Sequence, residues 1–151
     1  MTEKSKGMLA ELDLTARPVF EIFLSLLDEE LGETRYIVFE GRRSAQKQYA
    51  YYAQGREPLE KVNELRKAEG LYLLRSEKDN YKITWSLKSL HIDGLAMDVV
   101  PVDGAGNPTW ELAHYRSEFE TIRDCGRKAG LECGADWAEP QTDWPHYQIK
   151  K

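Results

Sequence analysis

Ser89-Leu90-His91-Ile92-Asp93-Gly94-Leu95-Ala96-Met97-Asp98, running on into Val99 and Val100, is the stretch around which the rest of the chain is organised. Residues 94–102 are apolar and rich in β-branched side chains apart from one carboxylate, Asp98, and this pattern predicts a central strand. Pro101 marks its fraying end, because proline has no N–H to give to a ladder. Strand alternation places Asp98 on the same face as Ala96 and Val100. A carboxylate among such neighbours is costly unless it is paired or coordinates a cation. His91 stands just before the strand, Gly94 permits a bend, and Ala96 leaves room beside the carboxylate. Two readings fit this pair. One is a set of metal ligands, since imidazole and carboxylate are proper donors to zinc. The other is a buried His–Asp hydrogen bond or salt bridge.

Working outward, residues 1–13 read as a loose start with a short apolar patch at Met8, Leu9 and Leu12. Thr15 reads as an N-cap with Pro18 in the first turn. Val19, Phe20, Phe23, Leu24, Leu27 and Leu31 then recur at helical spacing up to Gly32, which predicts a core helix. Residues 35–39 read as a strand and 40–43 as a turn, with Ser44 capping a helix that runs to about Gly55. Pro58 opens another helix with Val62 and Leu65 inward and Gly70 as its stop. Residues 71–74 and 81–85 flank the polar turn 77–80 and predict a hairpin. After a turn at 103–108, a helix is expected over 113–129 with Phe119 and Ile122 buried and Gly130 as its cap. Residues 131–133 and 146–149 are short strand candidates joined by a loop over 134–142. Helices and short strands mix without βαβ alternation, so the fold class is α+β.

The 151 residues suit one domain, 1–151, with its core over about 15–150. The chain is 41% apolar and 31% charged, as a globular protein with a solvated surface should be. A net charge of -5 argues against a dedicated nucleic-acid binder. No apolar run approaches membrane-spanning length. Residues 1–6 are polar and carry no secretory h-region, so the protein is expected to be cytoplasmic when made. Two cysteines, Cys125 and Cys133, are too few for a disulfide framework and read as small buried side chains.

Near the end of the chain, Asp143-Trp144-Pro145-His146-Tyr147-Gln148 adds a second imidazole and a second carboxylate. A catalytic zinc takes three protein ligands and keeps one position open. His91, Asp98 and His146 would supply the three. Asp143, held off the metal, can then act as a general base, although an aspartate here is also an ordinary turn or capping residue. The third histidine, His114, reads as structural or exposed.

The pattern S-x-H-x-x-G-x-A-x-D over residues 89–98, followed by D-x-x-H-x-Q over residues 143–148, resembles the zinc peptidases that cut peptidoglycan stem peptides. These are the D-alanyl-D-alanine carboxypeptidases and L-alanyl-D-glutamate endopeptidases, within a larger set that includes lysostaphin-type enzymes. Gly41-Arg42-Arg43-Ser44 with Gln48 resembles the family segment G-Y-R-S-x-x-x-Q, with Arg42 where an aromatic is usual. Residues 130–137, ending in Asp136-Trp137, resemble G-x-E-W-G-G-D-W of the phage endopeptidases, with Cys133 and Ala135 departing from it. The segment 58–83 has no familiar counterpart.

The resemblance implies a small antiparallel sheet flanked by helices, of the hedgehog and D-Ala-D-Ala peptidase type, with one catalytic Zn2+ at the sheet. It implies His91, Asp98 and His146 as metal ligands, and Asp143 and Arg43 as catalytic residues. Asp143 would accept a proton from the attacking water, and Arg43 would stabilise the oxyanion. Ser89, Gln48 and Trp137 are expected on the substrate side, with a turn hydroxyl and a packed aromatic as the plainer readings of Ser89 and Trp137. Aspartate rather than glutamate at 143 points to the endolysin branch, cutting L-alanyl-D-glutamate bonds in the wall after release from the cell. The expected partner is the stem peptide, with a monomer, no nucleic acid and no stable membrane insertion. Two rival functions stay open: a D-alanyl-D-alanine carboxypeptidase or dipeptidase, and a zinc-bearing binding or structural module without turnover.

Overall fold

A computed structural model describes residues 1–150. The elements in order are helices α1 (Glu3–Ala10) and α2 (Arg17–Glu30), strand β1 (Tyr36–Glu40), helices α3 (Ala45–Ala53) and α4 (Leu59–Ala68), strand β2 (Ala96–Pro101), helix α5 (Arg116–Ala129), and strands β3 (Glu132–Cys133) and β4 (His146–Gln148). The fold is α+β, as expected. By its internal contacts the chain divides into two compact units: Met1–Arg42 together with the chain from Asp93 onward, and Arg43–Ile92.

The first unit holds a four-stranded antiparallel sheet in the order β1-β2-β4-β3. The expected strand over 94–102 is its central β2. Tyr36 pairs with Pro101 and Val38 with Val99, and a bulge before Glu40 shifts the register. On the other side of β2, Ala96 lies opposite Gln148, Met97 opposite Tyr147 and Asp98 opposite His146. Glu132 and Cys133 continue these rows onto β3, opposite Gln148 and Tyr147. Because strand side chains alternate, the register sorts the sheet into two faces. One carries Val99, Met97, Tyr147 and Cys133, all fully buried in the core. The other carries Asp98, His146, Ala96, Gln148 and Glu132.

Helices α2 and α5 cover the core face. Phe20, Phe23, Leu24 and Leu27 form the buried stripe of α2, and Phe119, Ile122, Cys125 and Gly126 that of α5. Phe23 packs on the Tyr147 ring with centroids 4.7 Å apart. Gly126 is required there, since a Cβ would come within 2.7 Å of that ring. Both cysteines are buried and free, and burial pushes the Cys133 thiol up to about 11.

Two expectations for this unit are corrected. Residues 1–13 are not a loose start: Thr2 caps α1 by accepting from the Ser5 N–H, and Leu12 enters the core beyond its end. Thr15 does not cap α2. The carbonyl of Asp13 accepts from the N–H groups of Ala16 and Arg17, and its carboxylate accepts from Thr15, so an aspartate-based turn starts the helix.

In the second unit Ser44 caps α3 through the Lys47 N–H, as expected, and Gly70 follows α4 at φ +70°. Ala53, Val62 and Leu74 form its small core. The expected hairpin over 71–85 is absent. Its backbone is held by side chains instead of a strand ladder. Asn63 bonds both the N–H and the carbonyl of Leu74, Arg66 donates to the Tyr72 carbonyl, Arg56 to that of Thr84, and Gln48 to that of Ser86. A side-chain partner satisfies a backbone group as well as a neighbouring strand does.

The Tyr147 hydroxyl is buried without a hydrogen-bond partner among the described residues. Tyr147→Phe is therefore expected to raise unfolding free energy by about 1 kcal/mol. Gly126→Ala, which overfills the same spot, should lower it by about 1–3 kcal/mol. Denaturant unfolding of the two variants checks both signs.

Candidate metal centre

His91, Asp98 and His146 each offer a ligand atom, and these atoms all lie within 4.8 Å of one another. Their placement follows from local chemistry. Asp98 and His146 are directly opposed across β2 and β4, with Asp98 Oδ1 3.4 Å from His146 Nδ1. His91 is 2% exposed and sits in a turn whose closure is a serine hydroxyl: Ser89 Oγ accepts from the His91 N–H. Ser89 thus shapes the backbone that carries His91. The His91 carbonyl accepts from the Arg43 N–H. Gly94, at φ +72°, lets the chain enter β2 where a Cβ would lie 2.7 Å from the backbone nitrogen of Asp13.

The donor set fits a divalent transition metal. Two imidazoles and a carboxylate are zinc donors, and tetrahedral ligands at about 2.0–2.1 Å from an ion sit roughly 3.3 Å from each other. The Asp98–His146 separation of 3.4 Å matches that spacing and is long for a direct hydrogen bond. Burial acts to lower the His146 pKa, but the Asp98 carboxylate beside it, with help from Gln148 and Asp143, lifts it above the ordinary value.

Asp143 lies outside the ligand cluster and is exposed, yet its charge reaches His146. It is seated on Gly134. The Asp143 N–H donates to the Gly134 carbonyl, and a Cβ on Gly134 would stand 2.2 Å from the Asp143 carbonyl oxygen. Its own carbonyl accepts from the His146 N–H, which ties base candidate and ligand into one turn. The Trp137 ring packs on the imidazole of His146 with centroids 5.0 Å apart. Its Nε1 donates to Glu132.

Arg42 is exposed, whereas Arg43 is half-buried and donates from Nη1 to Gln48 Oε1 at 2.7 Å, its guanidinium lying over the Tyr51 ring. Gln48, expected on the substrate side, is 1% exposed, and its amide nitrogen donates to Thr84 Oγ1 and the Ser86 carbonyl. Gln48 therefore holds Arg43 and the 84–86 backbone. His114 is exposed. Glu132 and Gln148 stand in the two motifs quoted from the sequence but received no role there; they share hydrogen bonds with His146 and Trp137. Alternation puts Gln148, two residues from His146, on the same face, whereas Glu132 reaches it only through the β3–β4 register.

The fold and the cluster define a class, the metallopeptidases. Residues 82–149, which include all three cluster residues and Asp143, match the model of the peptidase family described as D-alanyl-D-alanine carboxypeptidase. The structure is similar to the Serratia marcescens L-Ala D-Glu endopeptidase ChiX, with TM-score 0.56 and 23% identity over 99% of this chain and 89% of that one. A second solved structure is a mutant of the vancomycin-resistance D,D-pentapeptidase VanY from a VanB-type cassette in complex with Zn(II). It matches with TM-score 0.46 and 18% identity over 91% of this chain and 72% of that one. No curated protein matches the chain by sequence.

Gly134→Ala should push Asp143 from its seat and lower stability by about 1–3 kcal/mol. The paired loss of peptidase turnover and melting temperature is the measurement. An unchanged melting curve would mean that the seat does not constrain Asp143.

Proposed function

We propose that this chain is a zinc-dependent peptidoglycan endopeptidase that hydrolyses the L-alanyl-D-glutamate bond of the stem peptide. The observation that carries the reading is the His91, Asp98 and His146 cluster with an exposed aspartate, Asp143, held in the turn that leads into His146. Aspartate at 143 and the ending His146-Tyr147-Gln148 favour the endopeptidase branch. The likeness to ChiX speaks for a shared fold.

His91, Asp98 and His146 would hold the ion. Zinc, when bound, supplies a lowered water pKa and polarisation of the scissile carbonyl. Asp143 takes the proton of the water that attacks the carbonyl carbon. Arg43, oriented by Gln48, offers its guanidinium to the oxygen that gains negative charge, an interaction of about 2–4 kcal/mol in comparable sites. Asp143 then returns the proton to the departing amine as the C–N bond breaks, which completes the hydrolysis. The Trp137 face, packed on His146, screens that ligand from solvent. The site of action on this reading is the cell wall, after an endolysin-type release.

A D-alanyl-D-alanine carboxypeptidase is the second reading, favoured by the description of the matching family. Mass analysis of products from purified peptidoglycan, with and without a chelator, decides between them. The endopeptidase releases fragments with a new amino terminus on D-glutamate and stops when the metal is removed. Free D-alanine as the sole product would establish the carboxypeptidase instead. Asp143→Ala should keep zinc stoichiometry while turnover falls by roughly 10²–10⁴-fold. Wild type and variant equally inert on every wall substrate would leave a zinc-bearing module without catalysis.

A further inference from the structure

Four side chains on the site face of the first unit form a directional chain of hydrogen bonds. Trp137 Nε1 donates to Glu132 Oε2 at 3.0 Å, and Gln148 Nε2 donates to the same oxygen at 2.9 Å. Gln148 Oε1 lies 2.8 Å from His146 Nε2. The indole N–H can only donate, so an oxygen that receives both it and an amide N–H is an acceptor. That fixes which end of the Gln148 amide faces Glu132. Its oxygen is then left facing the imidazole, and an amide oxygen can only accept. The nitrogen opposite must therefore carry the proton.

We propose that Glu132 and Gln148 are positioning residues that set the tautomer of His146, placing its proton on Nε2 and turning the Nδ1 lone pair toward Asp98 and the metal. The proposal rests on the metallopeptidase reading for its use, but not for its chemistry. Asp98 competes by offering Oδ1 to an Nδ1–H, and the distances decide. At 3.4 Å that contact is long for an N–H···O bond, whereas 2.8 Å to Gln148 is ordinary. The register explains why these residues meet: Glu132, Gln148 and Ala96 form one row across the sheet, and His146 with Asp98 forms the next on the same face. Ala96, the small member of the first row, leaves space there. Ligating histidines are commonly oriented through the ring nitrogen that does not bind the ion, and loss of such a partner weakens metal affinity roughly 10–100-fold.

The polarity can be reversed at one end and restored at the other. In Glu132→Gln the acceptor-only group is lost, so the Gln148 amide can turn over. In the double variant Glu132→Gln with Gln148→Glu, the new carboxylate at 148 accepts from His146 and from the amide at 132, and the direction returns. Imidazole nitrogen shifts of His146 are measured by NMR on the metal-free full chain, above the pH at which the ring titrates. Zinc affinity is measured in parallel by competition with a chromogenic chelator. Wild type should show the Nε2–H form. Glu132→Gln should show mixed tautomers and zinc affinity weaker by about 10–100-fold, and the double variant should recover both. A wild-type ring protonated on Nδ1, or a Glu132→Gln variant with unchanged tautomer and affinity, overturns the proposal. If the single variant does not fold, the double variant decides by the same two readings. Wild type that shows the Nε2–H form yet binds no zinc would sink the metallopeptidase reading and leave the hydrogen-bond direction standing, so the two fail separately.

Discussion

The Asp98 carboxylate, set in the middle strand of the sheet and directly opposite His146, is the constraint on which the rest of the molecule depends. A charge in that position is expensive unless it is paired or coordinates a cation. A cation shared with His91 and His146 would meet that condition. The backbone around the cluster is shaped to the same end: Gly94 brings the chain into β2 at a positive φ, and the Ser89 hydroxyl closes the turn that carries His91.

Rigidity at the site comes from the opposite face of the same strands. In β4, His146, Tyr147 and Gln148 point alternately, so the residue between the two site-facing side chains is buried beneath α2 and α5. Tyr147 packs on Phe23 and fills the space that Gly126 leaves, at the expense of a buried hydroxyl with no partner among the described residues. An unsatisfied group of this kind lowers stability. Packing around Tyr147 offsets it and fixes β4, and with it the direction in which His146 points.

The second unit reaches order by a different route. Its apolar core is small, and buried polar side chains do much of the organising. Arg66, 3% exposed, donates to Gln54 and to the Tyr72 carbonyl, and lies over the Tyr72 ring. Gln48 joins Arg43 to the 84–86 backbone. Each of these groups is bonded at several points, which is the condition under which buried polar networks specify one conformation.

Much of this was legible in the chain. Apolar periodicity of 3.6 gave α2 and α5, Ser44 and Gly130 marked helix ends, and the apolar run 94–102 gave β2, because these signals are local. Asp98 stood out from its strand because a charge there contradicts its neighbours. The hairpin over 71–85 was misread because strand-like residues do not reveal whether their backbone will meet another strand or the side chains of Asn63, Arg66, Arg56 and Gln48. The starts of α1 and α2 were misread because each rests on one short polar side chain, Thr2 and Asp13, in a stretch without a long apolar period. Sequence by itself determined the residue types that can bind a metal and the strands that carry them, since both follow from side-chain chemistry and a period of two. Only tertiary structure decided which side chains stand opposite one another. The β2–β4 register pairs Asp98 with His146, and the β3–β4 register brings Glu132 to Gln148. A slip of one residue would have turned all of them to the other face.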